Sequence, residues 1–410
     1  MFRATFASLR HRNFRLFFIG QSISNSGNWL TNVALSLLVL KLTGRGVGVG
    51  FLTACQFGPL LFLSAWGGAV ADRVDKRRTL LLTQSLEMAQ STGLAVLAFL
   101  PHPPLPALYL LATVGGILLS LDNPLRRSFV SEMVSETDLP NAVVLYSTIV
   151  NLSRIVGPAL AGVLVVTLGY GWCFTLDAVS YVAVIACLLW MRPGELHRQP
   201  VPARSAGAVR EGLRYVASVP TLRVTFVMLA AVTLLAYNFS VTLPLFVTRG
   251  LGAGEGTFTL LYALLSVGSV ASALLVAHRR LVTMRDVVRG ALLFGAALLG
   301  LAVIPGVRTA VPMVLLTGAA SVLFMTGVTT IAQVESRRDM HGRVLALQTV
   351  LLGGSAAVGG PFLGWVADVW GARSLMFIGG TACLLAAGYG YSAGLRYSLG
   401  HAVPPRGPSG

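Results

Sequence analysis

Charge is what this sequence has least of. Of its 410 residues, 11% are Asp, Glu, Lys or Arg, against about a quarter in a soluble globular domain. With 55% hydrophobic residues and a mean hydropathy of +0.75, that scarcity excludes a soluble domain or a string of them. It excludes a disordered chain for the same reason. Lysine is almost missing: Lys41 and Lys76 stand against 29 arginines, a bias of the source genome. Cysteine is scarce too. Cys55, Cys173, Cys187 and Cys383 each sit within or beside an apolar run, and no Cys-x-x-Cys occurs, so neither a disulfide framework nor a zinc site is indicated. The histidines (His11, His102, His197, His278, His341, His401) all fall in expected loops or tails. That leaves an intramembrane metal–histidine enzyme nothing to build with. No Gly-x4-Gly-Lys-Ser/Thr is present, which disfavours an ATP-driven pump. The basic start, Arg3 to Arg15, runs into a long apolar stretch without a small-residue cleavage site, so no signal peptide is expected.

What remains is long apolar runs. A spanning helix needs about 20 mostly apolar residues, and twelve stretches qualify: 14–40, 47–71, 79–100, 107–123, 141–167, 171–191, 223–247, 256–276, 290–304, 310–331, 344–368 and 374–394. With the N-terminus inside, 25 basic residues fall on the cytoplasmic side and five outside, while Arg154 is left within a span. This asymmetry predicts that both termini are cytoplasmic. The net charge of +16 is then loop charge facing an anionic membrane surface rather than a nucleic-acid site. The longest polar interruption is 192–222. Within it Val209, Leu213 and Val216 share a helical face, which suits a short interfacial helix or, equally, a solvated linker.

The chain repeats itself. Gly157-Pro158-Ala159-Leu160-Ala161-Gly162 in the fifth span and Gly360-Pro361-Phe362-Leu363-Gly364 in the eleventh lie 203 residues apart, close to half the length. Glu132 and Glu335 share that offset. Spans one to six and seven to twelve therefore read as two copies in the same membrane sense, a transporter architecture with its site between the halves.

The most specific local signal follows the second span: Gly68-Ala69-Val70-Ala71-Asp72-Arg73-Val74-Asp75-Lys76-Arg77-Arg78. Gly67 and Gly68 allow close helix approach. Asp72 suits the positive end of a helix, and Arg73 and Arg77 suit pairing with Asp122. Such a cluster would latch the halves on the cytoplasmic side, whereas a plain basic topology signal is the other reading. The segment resembles the inner loop of the major facilitator superfamily, Gly-x-x-x-Asp-Arg-x-Gly-Arg-Arg/Lys. Gly68, Asp72, Arg73 and Arg77 match, Lys76 replaces Arg, and Asp75 stands where the family has Gly. Around His278-Arg279-Arg280 the acidic partner is missing, so the latch is expected to be one-sided. Gly157, Pro158 and Gly162 partly match the superfamily's antiporter motif, which implies export. Their physical content is close packing and a kink at Pro158. His11-Arg12-Asn13-Phe14-Arg15-Leu16-Phe17, Asn123-Pro124-Leu125-Arg126-Arg127, Asp138-Leu139-Pro140-Asn141-Ala142 and Gly342-Arg343-Val344 are similar to the enterobactin-exporter-like and macrolide or multidrug efflux branch. That resemblance implies proton-driven export of siderophores or drugs.

A charge inside a span is functional by default. Arg154 shares a face with Ser147, Asn151 and Pro158. It binds an anionic group, holds a carboxylate or joins helices. The superfamily's usual basic residue in the middle of the fourth span is missing from 107–123, and Arg154 stands in its place. Glu87 and Asp177 are the proton-carrier candidates, with structural pairing the equal alternative. Asp368 marks the outer edge of its span. Gln21, Asn25, Asn28 and Asn32 form one amide row on the first span, facing a wet cavity or partner helices. Tyr237, Asn238, Tyr262 and Ser266 are expected to line the cavity with them.

The expected fold is thus an all-α membrane protein of twelve transmembrane helices in two parallel six-helix halves. Residues 1–191 form the first half, 192–222 a cytoplasmic linker, 223–396 the second half and 397–410 a disordered tail. The expected function is secondary active transport: proton-coupled export of a small amphipathic molecule by alternating access. No cofactor or nucleic-acid partner is expected, and the lipid bilayer surrounds a monomer in the cell membrane. An importer is the near alternative. A polytopic enzyme or a non-transporting scaffold is the distant one.

Overall fold

The structure is a computed structural model, and it describes residues 6–71, 73–197, 208–277, 283–337 and 340–400. Among these residues every regular element is helical. The long helices are α1 (Arg12–Thr43), α2 (Gly46–Ala71), α3 (Lys76–Phe99), α4 (Leu105–Met133), α5 (Leu139–Thr167) and α6 (Tyr170–Trp190). A short α7 (Ala208–Ser218) precedes α8 (Pro220–Leu235), α9 (Phe239–Leu245), α10 (Glu255–Ala277), α11 (Met284–Val303), α12 (Val307–Val334), α13 (His341–Trp370) and α14 (Arg373–Gly400).

Ten helical stretches among the described residues are long and apolar enough to cross a membrane; α1 and α3 are not among them. Those two carry the amide row and several charged residues, of which Gln21, Lys76 and Glu87 are buried and Arg78 is exposed. The lipid-facing surfaces are correspondingly apolar: Phe62 is 83% exposed, and Leu275 and Leu385 are nearly as open. A row of apolar side chains in that position has no counterpart in a water-soluble core.

Several elements differ from the expected spans. The fourth runs ten residues further, to Met133, because Asp122 and Asn123-Pro124 lie inside the helix instead of ending it. The seventh is broken between Leu235 and Phe239. There the Asn238 amide donates to the carbonyls of Thr233 (3.0 Å) and Leu234 (2.9 Å), satisfying acceptors that the interrupted helix leaves open. The last helix continues through Gly400, past the expected tail boundary at 397, and residues 401–410 lie outside the described set. The 192–222 segment does contain a helix, α7. Val216 is buried, Leu213 is exposed, and Tyr215 accepts from the Arg337 amide. The side chain of Val209 lies outside the described residues.

Local chemistry fixes the turns. Gly44, with φ of 59°, closes α1 in a left-handed cap, a conformation that costs other residues more. Asp75, where the motif elsewhere has Gly, caps α3 by accepting from the Arg78 amide.

Packing follows from small residues. α1 packs on α5 and α6, α2 on α4, and α3 on α4 and α6. Further along the chain, α10 packs on α12, α11 on α12 and α14, and α8 on α13 and α14. Two long seams join these sets: α2 with α13, the most extensive contact of all, and α5 with α10. Phe14 and Phe17 of α1, Leu80 of α3, Phe129 of α4 and Leu188 of α6 fill one apolar core. Without a water-driven hydrophobic effect between helices in lipid, such close packing and interior hydrogen bonds hold the bundle together.

Candidate functional site

The polar interior is built on Arg126, which the helix extension of α4 carries to membrane depth. It lies one turn after Asp122, and its Nε pairs with that carboxylate. Its Nη2 reaches Glu87 of α3 at 3.2 Å. Its Nη1 donates to Gln21 at 2.9 Å and Asn25 at 3.3 Å on α1. Thr83 and Gln84 each donate to Asp122 at 2.9 Å, and Gln84 also donates to Glu87 at 3.0 Å. All of these groups except half-buried Asn25 are buried. Two carboxylates share one guanidinium, so the ionised set carries one net negative charge and a single added proton makes it neutral. An ion set of this kind persists at membrane depth only through mutual pairing.

Asp177 of α6 lies beside this network. It is 1% exposed, and its Oδ2 accepts from Thr31 at 2.7 Å and Ser91 at 2.6 Å. One turn further, Tyr181 donates to Asn28 at 3.0 Å. Glu87, Asp177 and the amide row are therefore brought together. Of the two readings for the row, Gln21, Asn25 and Asn28 follow the partner-helix one. Asn32, with Ser36, Ser240, Phe258 and Tyr262, lines a narrow crevice between α1 and α10.

Three expectations are corrected. Asp122 pairs with Arg126 and not with Arg73 or Arg77. Arg77 instead donates to the carbonyls of Leu188 and Leu189 on α6, and Arg73 is exposed. The fourth span does carry a basic residue, Arg126, so Arg154 does not stand in for it. Asn238 closes the α8 break and does not line the cavity; Tyr237 beside it packs against Phe239 and Phe294. Lys76 makes a buried ion pair with Glu132, a partner the motif did not suggest. Gly67 abuts the Ser120 backbone of α4, as close approach requires. Asp72, the surroundings of Gly68, the Asn151 side chain and His278-Arg279-Arg280 lie outside the described residues.

Arg154 sits on α5 with its guanidinium 5.3 Å over the Trp29 ring, and its carbonyl accepts from Ser266 of α10 at 2.9 Å. The two Gly-Pro segments work as helix seams. Gly157 lies against α1 at Trp29 and Ser26, and Gly162 against Thr259 of α10. Gly360 lies against Gly50, and Gly364 against Gly46. Near this Gly46 end, Asp368 accepts the amides of Gly46 (2.7 Å) and Val47 (2.9 Å) at the start of α2. Arg249 pairs with Asp368 at 2.6 Å and with the Gly44 carbonyl. Tyr170 bonds Glu255, and Lys41 lies over the Tyr170 ring. Asp368 thus does more than mark an interface. No local pattern reveals this role, because its partner is a helix start 322 residues away.

A family model described as "Transmembrane secretion effector" matches residues 3–402. The chain is 32% identical over 176 residues to a staphyloferrin A transporter of Staphylococcus aureus, covering 42% of this chain and 44% of that one. It is 27% identical over 226 residues to the enterobactin exporter EntS of Shigella flexneri, covering 55% of each. The chain thus spans about half the length of the curated relatives it matches. In fold it is similar to an auto-inhibited POT family peptide transporter, with TM-score 0.75 and 16% identity over 97% of this chain and 99% of that one. It is also similar to an inward-facing, unoccupied bacterial homologue of the human lysosomal transporter Spinster, with TM-score 0.72 and 13% identity over 96% and 99%.

Proposed function

Because the chain belongs to the transmembrane secretion effector family of the major facilitator superfamily, we propose that it is a secondary exporter of small amphipathic molecules, siderophores or drugs among them. Twelve spans in two parallel six-helix halves, counting α8 with α9 as one span and α1 and α3 as spans, rock about a midplane site to give alternating access. Both termini are cytoplasmic in a cell-membrane monomer, which places the Gly46 end outside and the Lys76 end inside. The α2–α13 and α5–α10 seams then close the outer side, and the segment from Gly68 to Arg77 gates the inner one. The names of the staphyloferrin A and enterobactin relatives support a siderophore-like cargo.

The observation that carries the reading is the buried Glu87–Arg126–Asp122 set with Asp177 beside it. A charged cluster at membrane depth is costly and marks a proton or substrate pathway. Its excess negative charge gives an incoming proton a place to sit, and a proton on Glu87 loosens the hold of Arg126 on α3. Proton entry is thereby tied to movement of α3 against α4.

Everted vesicles test this directly. An acid-inside gradient is imposed, and its dissipation is followed on adding siderophores, macrolides or cationic dyes. Substrate-dependent proton release in the parent, absent in well-folded Glu87→Gln or Asp177→Asn, is the expected result. Substrate uptake that ignores the gradient would overturn proton coupling.

A further inference from the structure

The polar face of α5 holds a cation that no described part of the protein neutralises. Arg154 is the sixteenth of the 29 residues of α5, about 22 Å along it at 1.5 Å per residue, and so lies near mid-span. Arg154 and Ser147, two turns apart, are exposed on one face, while Leu152 and Val163 are exposed on the opposite one. One helix with an apolar and a charged exposed face meets two environments, lipid on one side and a wet cavity on the other. The Arg154 guanidinium rests on Trp29. Among the described residues it meets no carboxylate within pairing distance and no side-chain acceptor. The acids at membrane depth are committed elsewhere: Asp122 and Glu87 to Arg126, and Asp177 to the hydroxyls of Thr31 and Ser91. Among the described residues the Arg154 guanidinium therefore has no carboxylate bound to it, and it is exposed on this face of α5.

We infer that Arg154, on its Trp29 platform, makes the cavity selective for anionic amphipathic ligands, molecules with a carboxylate or similar oxyanion on an apolar body. The inference rests on the export reading and narrows its substrate class. A guanidinium stacked on an indole keeps its N–H fork free for a planar oxyanion, and stacking reduces the freedom lost on binding. A cationic ligand in the same place meets like charge with nothing to pair with, which discriminates against it without any added contact. Trp29, half-buried beside the guanidinium, offers apolar surface to the body of the ligand.

Two probes that share one fluorophore and differ in charge test this: dansyl-aspartate and dansylcadaverine. Binding to the purified full-length protein is read by fluorescence anisotropy, and gradient-driven accumulation is read in everted vesicles. The parent is expected to bind dansyl-aspartate about tenfold more tightly than dansylcadaverine. Arg154→Gln loses that preference by weakening the anion. Arg154→Lys keeps most of it because the charge stays, and Trp29→Leu weakens the anion several-fold. If Arg154→Gln does not fold, the contrast between Arg154→Lys and Trp29→Leu decides. Equal affinities in the parent, or anion binding indifferent to these variants, would overturn the anion site while leaving gradient-driven export standing. Arg154-dependent anion binding without accumulation would keep the site and overturn export. Binding of neither probe overturns the inference.

Discussion

Arg126 organises the buried charge, and its removal has a calculable sign. Arg126→Ala leaves Asp122 and Glu87 facing each other without a cation, a change that costs about 3–5 kcal/mol in comparable buried pairs. A clear fall in the thermal midpoint of the detergent-solubilised protein is expected. Glu87→Gln keeps the Asp122–Arg126 pair and its neutral amide fits the same place, so its midpoint should stay near the parent's while proton coupling is lost. At the start of α5, Asp138 accepts from His11 at 2.7 Å and from Arg10 at 2.6 Å. The His11 bond first, and then Arg10, hold its carboxyl below its ordinary 3.8. A carboxylate lowered on folding contributes stability above its unfolded value and loses it as pH falls through the lowered one. The segment carrying Ser8, Arg10 and His11 should therefore release from the start of α5 only in acid below pH 3.8. Amide hydrogen exchange at residues 8–11 reads this, and Asp138→Asn should show fast exchange at every pH. Of these residues, Glu87 and Asp177 were legible from sequence because an acid in an apolar run stands out. Arg126 was not. Asp122 and Asn123-Pro124 look like a helix end, but the Asp122–Arg126 pair and the acceptors on α1 and α3 reward continuing the helix, and Pro is tolerated where neighbouring helices satisfy the backbone.

The paired Gly-Pro segments act through whole helices. Their glycines were visible as a repeat, and close approach was the right reading. Which helix each one meets was not visible, since a small-residue stripe names a face and not its partner. The structure pairs Gly360 and Gly364 with α2, and Gly162 with α10, so each repeat lies on one of the two long helix seams. Asp368 strengthens the first seam by capping α2 from α13, a contact between an anion and the positive end of a helix. Asp368→Ala deletes the acceptor of two amides and the partner of Arg249 together. It should loosen the seam at the Gly46 end while leaving the α2–α4 packing intact. In a background without the native cysteines, labelling of Thr43→Cys by a membrane-impermeant maleimide should rise several-fold in Asp368→Ala. An unchanged rate would mean that the glycine contacts alone hold that end. The broken seventh span teaches the same lesson in reverse: its apolar run reads as continuous, and the break is held by Asn238 bonding back to α8, a use of an amide that composition does not announce.

For the molecule as a whole, the long apolar runs carried the class, an all-helical membrane protein. They did not carry the choice of which end is closed, because that depends on contacts between residues far apart in sequence, such as Tyr170 with Glu255 and Gly44 with Arg249. Under the proposed alternating access those contacts would separate in each cycle. The α5–α10 seam offers a direct test. A Cβ placed at Gly256 would lie 3.5 Å from Val166 Cγ2, so side chains at these two positions face each other across the seam. Val166→Cys with Gly256→Cys should cross-link on oxidation and hold this end of the seam shut, the outer end in the proposed orientation. Gradient-driven export should then stop and return with reductant, while binding of ligand from the cytoplasmic side should persist, because that side does not depend on the seam being opened. If export continued with the cross-link complete, the two halves would not part at this seam, and the rocking motion would have to turn about α5 and α10 as a hinge, with the opening confined to α2 and α13.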